Sequence, residues 1–186
     1  MKKETLKIPS QETCELLFHQ MDMMDHIINH SRQVCRVALF LVDQLKKKDI
    51  EINRELVRAA ALLHDITKVR SFKTGENHAL TGALFLESQG YPEVSNIVGQ
   101  HVTLNTYCLS DSINEAEIIN YADKRVLHDQ VVSLVERMHY ILEKYCKDSV
   151  CNKDKAIDLF EKTKKIEEKI FKRIPFSPDD LPRILG

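Results

Sequence analysis

Two histidine–aspartate dipeptides, His64-Asp65 and His128-Asp129, are the first residues in this chain whose types could do chemistry. An imidazole beside a carboxylate can pass a proton or ligate a cation. Chance supplies roughly 0.6 such pairs in a chain of this composition, so the dipeptide means little without its context. His64 ends the apolar run of AALLHDITK, which delivers the pair to the core, where an unpaired carboxylate is costly. His128-Asp129 lies where one helical pattern gives way to another, and it reads as a surface or helix-end pair.

Further imidazoles and carboxylates fall on apolar faces. His30 is in phase with Ile27 and Val34, and His101 with Val94, Ile97 and Val98. Asp123 follows Ala122 and stands four residues after Ile119, and His78 opens a helix beside a polar loop. A single inward histidine is most often a hydrogen-bonded core residue. Several on separate helices are harder to accommodate, because one core cannot hold many unpaired polar groups, whereas a metal ion satisfies them together.

The elements that must position these groups are helices. Apolar residues recur at three- and four-residue spacing through nearly the whole chain. Ser10 caps a first helix bearing Leu16, Leu17 and Met21; Asp25 starts a longer one that ends in Lys46, Lys47 and Lys48. Asn53 is an N-cap for a helix with Leu56, Val57, Ala60, Leu63 and His64 on one side, and Ala59, Ala60 and Ala61 allow close approach. Ser71 to Asn77 reads as a loop, His78 to Gln89 as helix, and Gly90 as its stop. Pro92 opens a helix to His101, Asn114 to Val126 forms another, and two charged amphipathic segments follow, Val131 to Tyr145 and Asp154 to Arg173. Pro175, Pro178 and Pro182 predict an extended tail. With no repeat or linker-like shift, the expectation is one all-α domain over 1–186, with a motif-bearing core at about 24–130 and C-terminal helices and tail at 131–186.

In order along the chain, His30, His64-Asp65 and Asp123 resemble the pattern of the HD superfamily of metal-dependent phosphohydrolases. ALLHDITK is similar to that family's LLHDIGK, HALTGALFLESQGYPEVSNIVGQH to its H-x3-GA-x2-L-x2-G-x-P segment with a later histidine, and NYADK to its closing AD. The likeness spans Ile27 to Val126 and extends to two further histidines, His78 and His101, which two-metal members carry between the pair and the last aspartate. It implies a helical bundle with the metal site between helices. By the resemblance His30, His64, Asp65 and Asp123 hold a first ion, and His78 and His101 a second, with Asp65 bridging. Imidazole and carboxylate without thiolate suit Fe, Mn, Co, Ni or Zn, as one ion or two.

The implied activity is hydrolysis of a phosphoester or phosphoanhydride of a small molecule, a nucleotide in the leading reading, by metal-activated water. Relatives act on nucleoside monophosphates, dinucleoside polyphosphates and cyclic nucleotides, and the small size and extra histidines lean toward the dinucleoside polyphosphate hydrolases. Asp65 would bridge metals or orient the water; Lys68, in the place of the HDIGK lysine, would offer charge to a phosphate. Arg70, Lys73, Lys124 and Arg125 could add to a phosphate-binding rim, whereas His19, His26 and His139 have no place in the pattern. Two departures stand out: Thr67 replaces the glycine of HDIGK, and Gly90-Tyr91-Pro92 lacks the flanking residues of the phosphodiesterases named for that tripeptide. A catalytically silent ligand-sensing module and a di-iron oxygenase on the same fold are the alternatives.

Composition narrows the partners. The formal net charge of −1, with 27 Lys and Arg against 28 Asp and Glu, gives no large field for duplex DNA. It does not oppose a phosphate substrate, because bound metals supply positive charge that composition does not show. Met1 to Pro9 has no apolar stretch behind its lysines, and the longest apolar run, Val37 to Val42, is far short of the ~20 residues that cross a bilayer. Five cysteines, at 14, 35, 108, 146 and 151, form no CxxC pair, as expected of a reduced, cytoplasmic protein; Cys146 and Cys151 read as ordinary helix or loop residues.

Overall fold

Side-chain caps start most of the helices that carry the site. In the computed structural model, which describes residues 6–107, 110–145 and 153–186, the Ser10 hydroxyl accepts from Thr13 N at the start of α1 (Gln11–Gln20). Asn53 Oδ1 accepts from Leu56 N at the start of α3 (Arg54–Leu63). Asn77 does the same for α5 (His78–Ser88), and Asn114 forms a capping box with Glu117 at α7 (Glu115–Lys124). Each cap satisfies amide N–H groups that a first helical turn leaves without partners. Gly90, with φ +82°, ends α5, and Pro92 opens α6 (Pro92–Val98).

The core lies between α3 and α2 (Asp25–Lys46), with α6 and α7 packed on the other sides of α3. Ala59, Ala60 and Ala61 are fully buried, which brings the neighbouring backbones close, while Leu41, Leu45, Val57, Leu63, Ile118 and Ile119 fill the space between. The C-terminal segment adds α8 (Leu134–Tyr145) and α9 (Lys153–Phe171). Buried ion pairs bind α9 to α7. Lys169 Nζ donates to both Glu117 carboxylate oxygens at 2.7 and 2.8 Å, and Arg125 donates to Tyr121, Glu167 and the Pro178 carbonyl. The fold is all-α, a helical bundle, with one two-residue hairpin of β1 (Val126–Leu127) and β2 (Gln130–Val131). Among the described residues no helix is long and apolar enough to cross a membrane.

Three local expectations are overturned. The stretch expected as a loop from Ser71 is in part helix α4 (Lys68–Thr74), ended by Gly75 at φ +72°. α4 buries no residue, so it leaves no hydrophobic stripe to read. The proline-bearing end is not extended but forms a 3-10 turn (Pro178–Asp180) and α10 (Leu181–Leu185), with Leu181 fully buried. Pro178 and Pro182 occupy first-turn positions, where a missing N–H costs nothing. Arg125 and Lys124 do not form an open phosphate rim: Arg125 is consumed by the buried network above, and Lys124 Nζ donates to the carbonyls of His101 and Asn120. Cys14 and Cys35 are buried free thiols, and Cys108, Cys146 and Cys151 lie outside the described residues.

Candidate metal centre

α2 supplies His30, the end of α3 supplies His64 and Asp65, the first turn of α5 supplies His78, and α7 supplies Asp123. His101 comes from the turn that follows α6, three residues beyond the end of that helix. The structure brings all six together. One ligand atom each from His30, His64 and Asp65 lie within 4.8 Å of one another, and so do one each from Asp65, His78 and His101. Asp65 belongs to both groups. Asp123 joins through Oδ1, 3.1 Å from His30 Nε2 and 3.6 Å from His64 Nε2.

Backbone carbonyls aim the imidazoles. His30 Nδ1 donates to His128 O at 2.8 Å, His64 Nδ1 to Ala61 O at 2.8 Å, and His101 Nδ1 to Val98 O at 2.7 Å. Each ring therefore turns its Nε2 toward the carboxylates, the orientation that second-sphere hydrogen bonds give metal-binding histidines. His78 is placed differently. The Thr67 hydroxyl donates to His78 O at 2.9 Å and shares a hydrogen with Thr81 Oγ1 at 2.8 Å, which ties the His64-Asp65 turn to the first turn of α5. Thr67 adopts φ −107°, so nothing at this position requires glycine.

The polar balance of the cluster is incomplete within the protein. His64, Asp65 and His101 are at most 1% exposed, yet His64 Nε2 and Asp65 Oδ1 have no hydrogen-bond partner. The nearest carboxylate oxygens to His64 Nε2, at 3.5 and 3.6 Å, are too far for a hydrogen bond. His78 Nε2 and His101 Nε2 lie 3.1 Å apart, and stand 3.2 and 3.7 Å from Asp65 Oδ1. Donors that share a cation through bonds of ~2.0–2.1 Å stand about 3–3.4 Å apart. The separations of 3.1 and 3.2 Å and the orphaned atoms both fit a divalent ion.

Charge gives the same account. Burial disfavours the charged form of His64, but Asp65 and Asp123 outweigh it and raise its pKa to about 10. Burial likewise opposes ionisation of Asp65 and Asp123, yet the surrounding His64, His78, Lys68 and His30 hold both well below the usual carboxylate range. Lys68 Nζ donates to Asp65 Oδ2 at 2.8 Å and stays charged despite its burial. Without a metal, a proton on His64 and the Lys68 ammonium thus offset two buried carboxylates. His101, buried and facing that imidazolium, is pushed down to about 3 and stays neutral, a ready ligand.

A cleft of about 200 Å³ opens onto His30 and Asp65. Lys68, Phe72, His128, Arg137, Tyr140 and Lys144 border it, as does His26. Sequence reasoning gave His26, Arg137 and Tyr140 no place there. It also missed His128, whose exposed ring is not a ligand but whose carbonyl orients His30; its positive φ of +56° in the hairpin turn was the signal, and only structure reveals it.

A model of the HD domain matches residues 27–174, and the chain belongs to that family. It is 35% identical over 101 residues to a tRNA (cytidine(56)-2'-O)-methyltransferase of Thermoplasma volcanium, covering 54% of this chain and 28% of that protein. It is 31% identical over 112 residues to a dihydroneopterin 2',3'-cyclic phosphate phosphodiesterase of Methanocaldococcus jannaschii, covering 53% of this chain and 45% of that one. The chain spans less than half the length of these curated relatives. Among solved structures, a predicted HD superfamily hydrolase from an uncultured Thermotogales bacterium aligns over 90% of this chain and 92% of its own, at 20% identity and a TM-score of 0.49.

Proposed function

We infer that the chain is a single-domain, cytoplasmic, metal-dependent phosphohydrolase acting on a phosphoester or phosphoanhydride of a small molecule, and that the small molecule is a nucleotide. The observation that carries this reading is Asp65, buried and common to both ligand groups, with Oδ1 unsatisfied between His78 and His101. His30, His64, Asp65 and Asp123 would hold one ion, and His78 and His101 a second with Asp65 between them. Bound there, a divalent metal polarises a phosphoryl oxygen and makes water nucleophilic near neutral pH.

The chain's own groups supply the rest. Asp65 Oδ2, fixed by Lys68, orients a water for attack on phosphorus. Lys68, at the edge of the cleft with its ammonium on Asp65 Oδ2, would offer its remaining N–H donors and its charge to the phosphate. Phe72, 63% exposed on α4 and bordering the same cleft, offers a face for a planar base, which favours a nucleotide over an aliphatic phosphate. The phosphodiesterase relative, named for dihydroneopterin 2',3'-cyclic phosphate, is in keeping with a small phosphorylated substrate. The methyltransferase name belongs to a protein of which this chain matches 28%, and methyl transfer has no use for six inward imidazole and carboxylate groups.

Phosphate release tests this directly. Protein purified without chelators and loaded with Mn, Fe or Co is offered nucleoside monophosphates, dinucleoside polyphosphates, and 2',3'- and 3',5'-cyclic nucleotides. Turnover of at least one class, abolished in Asp65→Ala, is the expected result. Metal-loaded protein inert toward every class would sink the enzyme reading and leave a ligand-sensing module in its place.

A further inference from the structure

We propose that Arg137, on α8 and outside the histidine–aspartate set, is a substrate-binding residue that grips the reacting phosphate from the lining of the cleft that opens onto the ligand cluster. The inference rests on the phosphohydrolase reading and deepens it, since it assigns the anion contact to a guanidinium supplied by the C-terminal helices.

Arg137 borders the same cleft as His30, Asp65 and Lys68. Its Nε is buried and finds no hydrogen-bond acceptor, and no ion pair among the described residues includes its guanidinium. An unpaired guanidinium N–H out of water is costly unless a ligand completes it. The group is nevertheless held in place: its guanidinium carbon stands 5.8 Å from the ring centroid of Tyr140, another wall of the cleft. The side chain also borders a small apolar cavity with Leu134, Met138 and Phe160, so its aliphatic stem has a packing surface that leaves the head at the polar side. Positive charge collects here, for Lys68 and Lys144 border the same cleft as Arg137. The counter-charges nearby, Asp65 and Asp123, face the metal ligands. Among the described residues that border the cleft, Asp65 is the only carboxylate, and a planar guanidinium with unspent donors recognises a phosphate by two parallel hydrogen bonds where an ammonium provides only a point charge.

The test is calorimetric titration of inorganic phosphate into Mn-loaded wild-type protein, Arg137→Gln and Arg137→Lys, with metal content and thermal midpoint measured on the same samples. Arg137→Gln should weaken phosphate binding about tenfold to a hundredfold, Arg137→Lys should recover part of the loss, and bound metal should be unchanged. With the substrate found in the release assay, KM should rise more than kcat falls. Lys47→Gln, remote from the cleft, controls for net charge. Phosphate affinity in Arg137→Gln within twofold of wild type overturns the assignment while the phosphohydrolase reading stands. If wild type itself neither binds phosphate nor hydrolyses any ester, both fall together. Should Arg137→Gln fail to fold, Arg137→Lys decides: wild-type phosphate affinity there refutes bidentate recognition.

Discussion

Replacing Thr67 by valine should loosen His78 and leave the rest of the ligand cluster in place. Valine keeps the branched shape and accepts φ −107°, so the substitution isolates the hydroxyl. That hydroxyl makes two hydrogen bonds in a region where Thr67 is 2% exposed, one to the His78 carbonyl and one shared with Thr81. At about 1 kcal/mol each the loss is about 2 kcal/mol. The Thr81 hydroxyl, 3.4 Å from the same carbonyl, can take over part of the first bond, which lowers the expectation to about 1–2 kcal/mol. For a chain of this size that corresponds to a fall in the thermal midpoint of roughly 2–8 °C. Thr67→Gly, which restores the residue of HDIGK, should do no better. It loses the same bonds and adds backbone freedom to the unfolded chain. Differential scanning calorimetry of metal-free protein reads the stability, and titration with Mn reads the site: the ions held through His78 should weaken more than those held through His30. A midpoint within 1 °C of wild type in both variants, with unchanged metal binding, would refute the role given to the Thr67 hydroxyl.

Metal loading should be proton-coupled. His64 carries a proton below about 10 in the metal-free fold, and an ion must displace it. Apparent affinity should therefore rise with pH, by up to about tenfold per unit from pH 7 to 9, with a proton released into the buffer. Calorimetry in buffers of different ionisation enthalpy measures that release, and a pH-independent affinity across this range would contradict the charge state assigned to His64. His128→Ala should retain metal within about twofold, because His30 is oriented by the backbone carbonyl and not by the ring; His128→Gly should also fold well, since φ +56° suits glycine. Loss of metal in both would restore the His128-Asp129 pair as a candidate ligand set.

Much of this was legible in the sequence wherever periodicity or chemistry leaves a local mark. Asn53 and Ser10 announce helix starts by side-chain type, and the structure caps both helices with them. His30 and Asp123 could be placed inward from the spacing of their apolar neighbours. What stayed hidden depends on long-range contacts. α4 buries nothing, and two-residue strands are too short for alternation to show, so neither left a pattern. Lys124 and Arg125 look like solvated helix-end cations until α9 and the C-terminal turn close over the region. His101 was expected inside its helix, but α6 stops at Val98, and the ring then returns to donate to the carbonyl of Val98. Thr67 looked like a departure from a glycine motif, and its function as a tie to His78 depends on a residue eleven positions away.

The central claim is that six side chains from five parts of the fold serve a bound metal through a shared aspartate. Metal content per chain, measured on wild-type protein and Asp65→Ala purified identically without chelators, tests it most directly. The account predicts metal in the wild type and its near-complete loss in Asp65→Ala, with the helical circular dichroism preserved. A folded Asp65→Ala that holds as much metal as wild type would contradict it.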